Sequence, residues 1–82
     1  MARYNYVMVK LSDIERVDRS ELKDSRLTTL ENGYDPFEKV LRSESDPIAL
    51  DKSTRPYRII DGRHRIYLAR KKGYSEVQAI FA

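Results

Sequence analysis

Apolar positions along this chain change period several times, and each change marks an element. Val7, Val9 and Leu11 alternate with Met8 and Lys10. That period of two belongs to a half-buried strand, placed near residues 6–11. After a turn region, residues 18–31 carry Leu22, Leu27 and Leu30. They read as a helix that starts at Asp18 or Ser20 as N-cap and closes at Asn32-Gly33, with loop as the alternative. Asp35-Pro36-Phe37-Glu38 is a sharper start signal: an acidic N-cap, proline at the first helical position and a glutamate at N3 to close a capping box. With Phe37, Val40 and Leu41 on one face, a short helix is expected over 36–43.

Pro47 ends that region, and Ile48 to Leu50 reads as a short strand. Asp51 to Pro56 is polar and turn-forming, and Tyr57, Ile59 and Ile60 form the next strand, so 48–60 is expected to be a hairpin. Asp61-Gly62 terminates it. Arg63 to Lys72 contains no breaker, has cations in its last turn and stops at Gly73, the residue suited to a left-handed position after a helix. Ile66-Tyr67-Leu68-Ala69 is apolar on several sides, as in a helix covered by a sheet and by another element. Val77, Ala79 and Phe81 mark a last strand. The expected order is strand, helix, helix, strand, strand, helix, strand, an α+β chain.

Length and composition narrow the function. At 82 residues the chain has room for one domain, 1–82, because two would need roughly 50 residues each. Without cysteine, disulfides, thiol catalysis, iron-sulfur clusters and cysteine-ligated zinc are excluded. His64 is the sole histidine, which excludes a multi-histidine metal site. The longest apolar runs, such as Ile66 to Ala69, are four residues, far below the roughly 18 needed to cross a bilayer. No secretory h-region opens the chain, so the cytoplasm is the expected compartment and no membrane partner is expected.

Charge is uneven along the chain. Residues 1–41 hold seven Lys/Arg and eight Asp/Glu, for −1, whereas 42–82 hold nine and five, for +4. Lys52, Arg55, Arg58, Arg63, Arg65, Arg70, Lys71 and Lys72 fall within 21 positions, opposed there by Asp61 alone. Such a stretch fits a phosphate-bearing partner or a solvated basic face.

Ile60-Asp61-Gly62-Arg63-His64-Arg65 runs from a strand through a turn directly into a helix. A helix start has amides without intrahelical acceptors and partial positive charge, and glycine lets a ligand approach the backbone. Three basic side chains in that first turn are opposed by the dipole unless an anion offsets them. A phosphate held by backbone amides would do so, with Arg63 or Arg65 donating paired hydrogen bonds and His64 donating or shuttling a proton. An internal reading competes: Asp61 caps the helix and pairs with one arginine, and His64 is half-buried.

The segment from Pro47 onward, with its hairpin into Asp61-Gly62-Arg63-His64-Arg65, an apolar helix and Gly73, resembles the ParB/sulfiredoxin superfamily, particularly ParB-like nuclease domains. The resemblance implies a mixed sheet of about four strands with two to three helices. It also implies phosphate contact, from a nucleotide or nucleic acid, at Gly62, Arg63, His64 and Arg65. Sulfiredoxin chemistry is excluded by the missing cysteine. A CTP-switched DNA clamp is not expected, because the chain ends at Ala82, where a helix-turn-helix domain would begin. A free-serine kinase would need more chain to build its amino-acid pocket.

Phosphodiester hydrolysis would require a nucleophile activator and charge stabilisation. Asp61, Asp46 and Glu44 are the nearest acids in sequence, placed to hold Mg2+ together or to act as a base with His64, although Asp46-Pro47 reads equally well as a turn start. His64 and Asp61 are thus the catalytic candidates, with no dedicated metal ligand set assigned. The chain has six tyrosines, and tyrosine stacks on bases and suits protein interfaces. Tyr57 and Tyr67 flank the box; Tyr57 is expected exposed and, with Arg58, joins the proposed phosphate or nucleic-acid contacts. The rival expectation is a non-catalytic inhibitor or adaptor, like small phage- or plasmid-encoded proteins that act on a host protein complex.

Overall fold

The computed structural model describes residues 4–33 and 36–82. Four strands, β1 (Val7–Lys10), β2 (Ile48–Asp51), β3 (Arg58–Asp61) and β4 (Glu76–Phe81), form one sheet in the order β1-β4-β2-β3. β4 runs parallel to β2, while β1 is antiparallel to β4 and β3 to β2, so the sheet is mixed. Helices α1 (Asp24–Asn32), α2 (Phe37–Leu41) and α3 (Arg63–Lys71) complete the described elements. Class and element order are those expected from the apolar pattern.

α3 holds the two halves of the core together. Ile66 and Ala69 join Val9, Ile48, Leu50, Ile59, Val77 and Ala79 of the sheet in one buried cluster. Leu68, on another side of the same helix, packs with Leu22 and Leu27 in a second. The apolar run in this helix is therefore covered on two sides, as its pattern predicts. It ends in a Schellman motif: Gly73, at φ 87°, donates to the Arg70 carbonyl and Tyr74 to that of Ala69.

The expected helix over 18–31 is two pieces. Asp18 accepts from the Ser20 amide while the Glu21 carboxylate accepts from the Asp18 amide, a capping box closed over one 3₁₀ turn, Arg19–Glu21. Leu22 then adopts extended angles, and α1 begins at Asp24. The break has a packing reason. Leu22 and Leu27 both contact the cluster around Leu68, yet residues five apart fall on different faces of an unbroken helix. The second helix begins at Phe37, with Pro36 as its N-cap rather than its first residue. The expected Asp35 cap, like Tyr34, lies outside the described residues.

Arg70 fixes the segment after β1. Its guanidinium donates to the carbonyls of Leu11, Ile14 and Glu15 at 2.7–3.0 Å. The anchored segment lies along the outer edge of β3: Tyr57 donates to Asp13, Glu15 donates to Tyr57, and the Glu15 carboxylate accepts the Ile59 amide. That edge is thereby closed to strand addition. Among the described residues, no helix is long and apolar enough to cross a membrane.

Candidate functional site

Between β3 and α3 the chain turns at Gly62, whose φ of 110° and ψ of 20° lie in left-handed territory. A Cβ built there would stand 2.9 Å from Cγ1 of the fully buried Ile48. Core packing, rather than a ligand's approach alone, therefore requires this glycine. Gly62→Ala is expected to cost about 2 kcal/mol in stability by urea unfolding, from backbone strain plus overpacking against Ile48. The Gly62 carbonyl accepts from Ile66 to open α3, and no side chain caps the helix start. The amides of Arg63, His64 and Arg65 precede the first intrahelical donor and are the orphan donors of this end.

These residues line a cleft of about 890 Å³ whose other walls are α1, α2 and the loop before β2. Lys23 and Arg26 come from the start of α1, and Lys39 and Arg42 from α2 and its end. Acidic lining comes from Glu44, Asp46 and Asp61. Cations outnumber acids in the lining, and those beyond Arg63 and Arg65 come from α1, α2 and the ends of these helices. The sequence reading missed Lys23, Arg26, Lys39 and Arg42. Their signal was spacing, Lys23 three residues before Arg26 and Lys39 three before Arg42; the first three were hidden in residues 1–41, whose total charge is negative, and Arg42 stood apart from the basic stretch that begins at Lys52.

Residues singled out from the sequence meet different fates. Arg65 is buried at 6% exposure; its Nη1 donates to the Asp46 carbonyl at 2.6 Å, and its Nη2 lies 3.7 Å from the Asp46 carboxylate. Arg63 stands 3.8 Å from both the Glu15 and Glu21 carboxylates and donates to the Ile59 carbonyl at 3.5 Å. Both guanidinium groups thus contact protein groups, with Asp46 in place of Asp61 as the partner of Arg65, while the helix cap that the internal reading gave to Asp61 is not formed. His64 Nε2 accepts the Lys23 amide hydrogen at 3.1 Å. Partial burial, then the charges of Arg26, Lys23 and Arg19, hold its pKa below the ordinary 6.5.

Asp61 shares the cleft rim with Asp46. Desolvation first, then the hydrogen bond and charge of Asp46, raise its pKa above 3.8, against the opposing pull of Arg65 and the Gly62 amide. Tyr57 and Arg58 lie at the other end of β3 and do not line the cleft. Tyr57 is half-buried rather than exposed: its ring packs 5.0 Å from that of Phe81, with the Arg55 guanidinium 4.7 Å over its face. Arg58 is exposed. Tyr67 is half-buried against the Leu68 cluster.

The donor set is a poor match to a magnesium cage. Among the described residues, no group of three or more His, Asp or Glu converges. Asp46 and Asp61 adjoin, two carboxylates without a third among these residues. Comparison with known protein families finds no model that matches this chain, and none of the curated proteins is similar to it in sequence.

Proposed function

We propose that this chain binds a phosphate-bearing ligand, a nucleotide or a segment of nucleic acid, in the cleft at the start of α3. The observation that carries this reading is the convergence of Lys23, Arg26 and Arg42 on a helix start with no side-chain cap. Phosphate oxygens would accept from the Arg63, His64 and Arg65 amides, while the α1 and α2 side chains supply countercharge. The roles of Arg63 and Arg65 change accordingly. Arg65 braces the loop at Asp46 and Arg63 ties α3 to Glu15 and Glu21, so both shape the cleft without donating to the ligand.

The resemblance to ParB-like domains supports the same ligand class at the same turn. The activity proposed is binding. His64 would act as a base only after releasing the Lys23 amide from Nε2, an arrangement that does not favour hydrolysis.

A thermal-shift series with ATP, CTP, GTP, tripolyphosphate and short DNA tests the reading. Arg26→Glu is the informative comparator, because Arg65→Ala would strip a buried donor from Asp46 and perturb the fold itself. Stabilisation by at least one ligand that disappears in Arg26→Glu and weakens with added salt is the expected result. Stabilisation unaffected by Arg26→Glu would refute the site.

The protein-binding reading has one observation in its favour. The two sheet edges differ: β3 is covered by residues 13–15, whereas β1 is the other outer strand and exposes Val7 and Met8. An exposed apolar edge strand is a place where another chain adds. Capture of a stoichiometric protein that is lost in Met8→Lys, together with no ligand shift, would favour this second reading.

A further inference from the structure

His64 has a task that the phosphate reading does not use. Its Nε2 accepts the Lys23 amide, so the neutral ring carries its proton on Nδ1. The contact joins the start of α3 to the start of α1, the two elements whose Arg63 and Arg26 face the same cleft. A second proton would turn Nε2 into a donor confronting a donor. It would also place positive charge among Lys23 at the N-cap of α1, Arg26 within that helix and Arg19 of the preceding turn.

Few acids offset that cluster. Arg19 is paired with Asp24, and Arg63, beside His64 on α3, lies near Glu15 and Glu21. The acids of the cleft itself, Glu44, Asp46 and Asp61, come from the loop before β2 and the end of β3, and Asp46 is engaged by Arg65. In the free protein, then, the surroundings of His64 disfavour its charged form.

We propose that anion binding in the cleft is coupled to proton uptake at His64, so that this residue, which ties the α1 start to the α3 start while the cleft is free of anion, gives up that tie on binding and sets the pH range of binding. This rests on the cleft being the anion site. An anion among Lys23, Arg26 and the α3 amides neutralises the charges that oppose the imidazolium. By linkage, protonation must then strengthen anion binding by the factor by which the anion strengthens protonation. Affinity therefore rises as pH falls below the ordinary histidine value of 6.5. Stability of the free protein moves the other way: below 6.5 the unfolded chain takes up this proton more readily than the folded one, so the His64 contribution is lost as pH falls.

One histidine gives one set of ring resonances, so the untagged chain can be titrated by NMR without ambiguity. Sulfate is the probe, because it does not itself change charge across the range. Saturating sulfate is expected to raise the His64 midpoint by about half a unit or more, roughly a threefold change in sulfate affinity between the two protonation states. His64→Gln, which keeps an acceptor for Lys23 without titrating, is expected to bind sulfate with an affinity flat from about pH 5.5 to 7.5. If the amides of residues 62–65 and Lys23 respond to sulfate while the His64 midpoint stays put, the coupling is wrong and the anion site stands. If those amides do not respond, both fall together.

Discussion

Arg70→Met is expected to lower the free energy of unfolding by about 3 kcal/mol, a loss of charge-assisted bonds to three carbonyls set against the fragment of packing that methionine restores. The oxygens of Leu11, Ile14 and Glu15 would lose their shared donor. Through Glu15 the damage reaches the edge of β3, where that residue's carboxylate holds the Ile59 amide. For a chain of 82 residues, stability of roughly 0.05–0.15 kcal/mol per residue makes this a large fraction of the total. Urea unfolding checks it. Arg70→Lys should recover only part of the loss, because an ammonium lacks the planar fork that reaches three acceptors. A loss under about 1 kcal/mol for Arg70→Met would show that water replaces the guanidinium and that the clamp contributes little.

The second large effect concerns binding. Lys23→Glu together with Arg26→Glu is expected to weaken nucleotide or oligonucleotide binding by about 100-fold, since the double change reverses the sign of one cleft wall. Stability should change by no more than about 1 kcal/mol, as both side chains are exposed. The control is Lys52→Glu with Arg58→Glu, which makes the same charge change on the hairpin away from the cleft. It should leave affinity within about threefold, the residue of long-range electrostatics after screening. Equal losses from the two double variants would mean that the overall positive charge, rather than this cleft, recruits the ligand.

The elements with strong periodicity are legible in the sequence. α3 announced itself by an unbroken run ending at Gly73, and the hairpin by two apolar runs around a polar turn. What the sequence could not show was the phase break at Leu22, which exists because Leu22 and Leu27 must both reach the Leu68 cluster. Such a demand arises from tertiary packing and leaves no local mark beyond the Asp18 capping box. At the site, the box from Asp61 to Arg65 was rightly placed at a strand-to-helix junction. The destinations of its side chains were not readable, since Arg65 turns to a carbonyl 19 residues away and His64 to an amide 41 away. The negative total of residues 1–41 concealed the rest: Lys23, Arg26 and Lys39 line the cleft beside Arg42, while Asp24, Glu31 and Glu38 lie outside its lining.

Chemical-shift mapping with inorganic tripolyphosphate tests the cleft most directly, because this probe offers phosphate charge without a base to stack. Saturable shifts greatest at the amides of Gly62, Arg63, His64 and Arg65, accompanied by Lys23 and absent in the Lys23→Glu, Arg26→Glu variant, are the expected result. Shifts confined to residues 52–58, or no saturable response at millimolar probe, would contradict it.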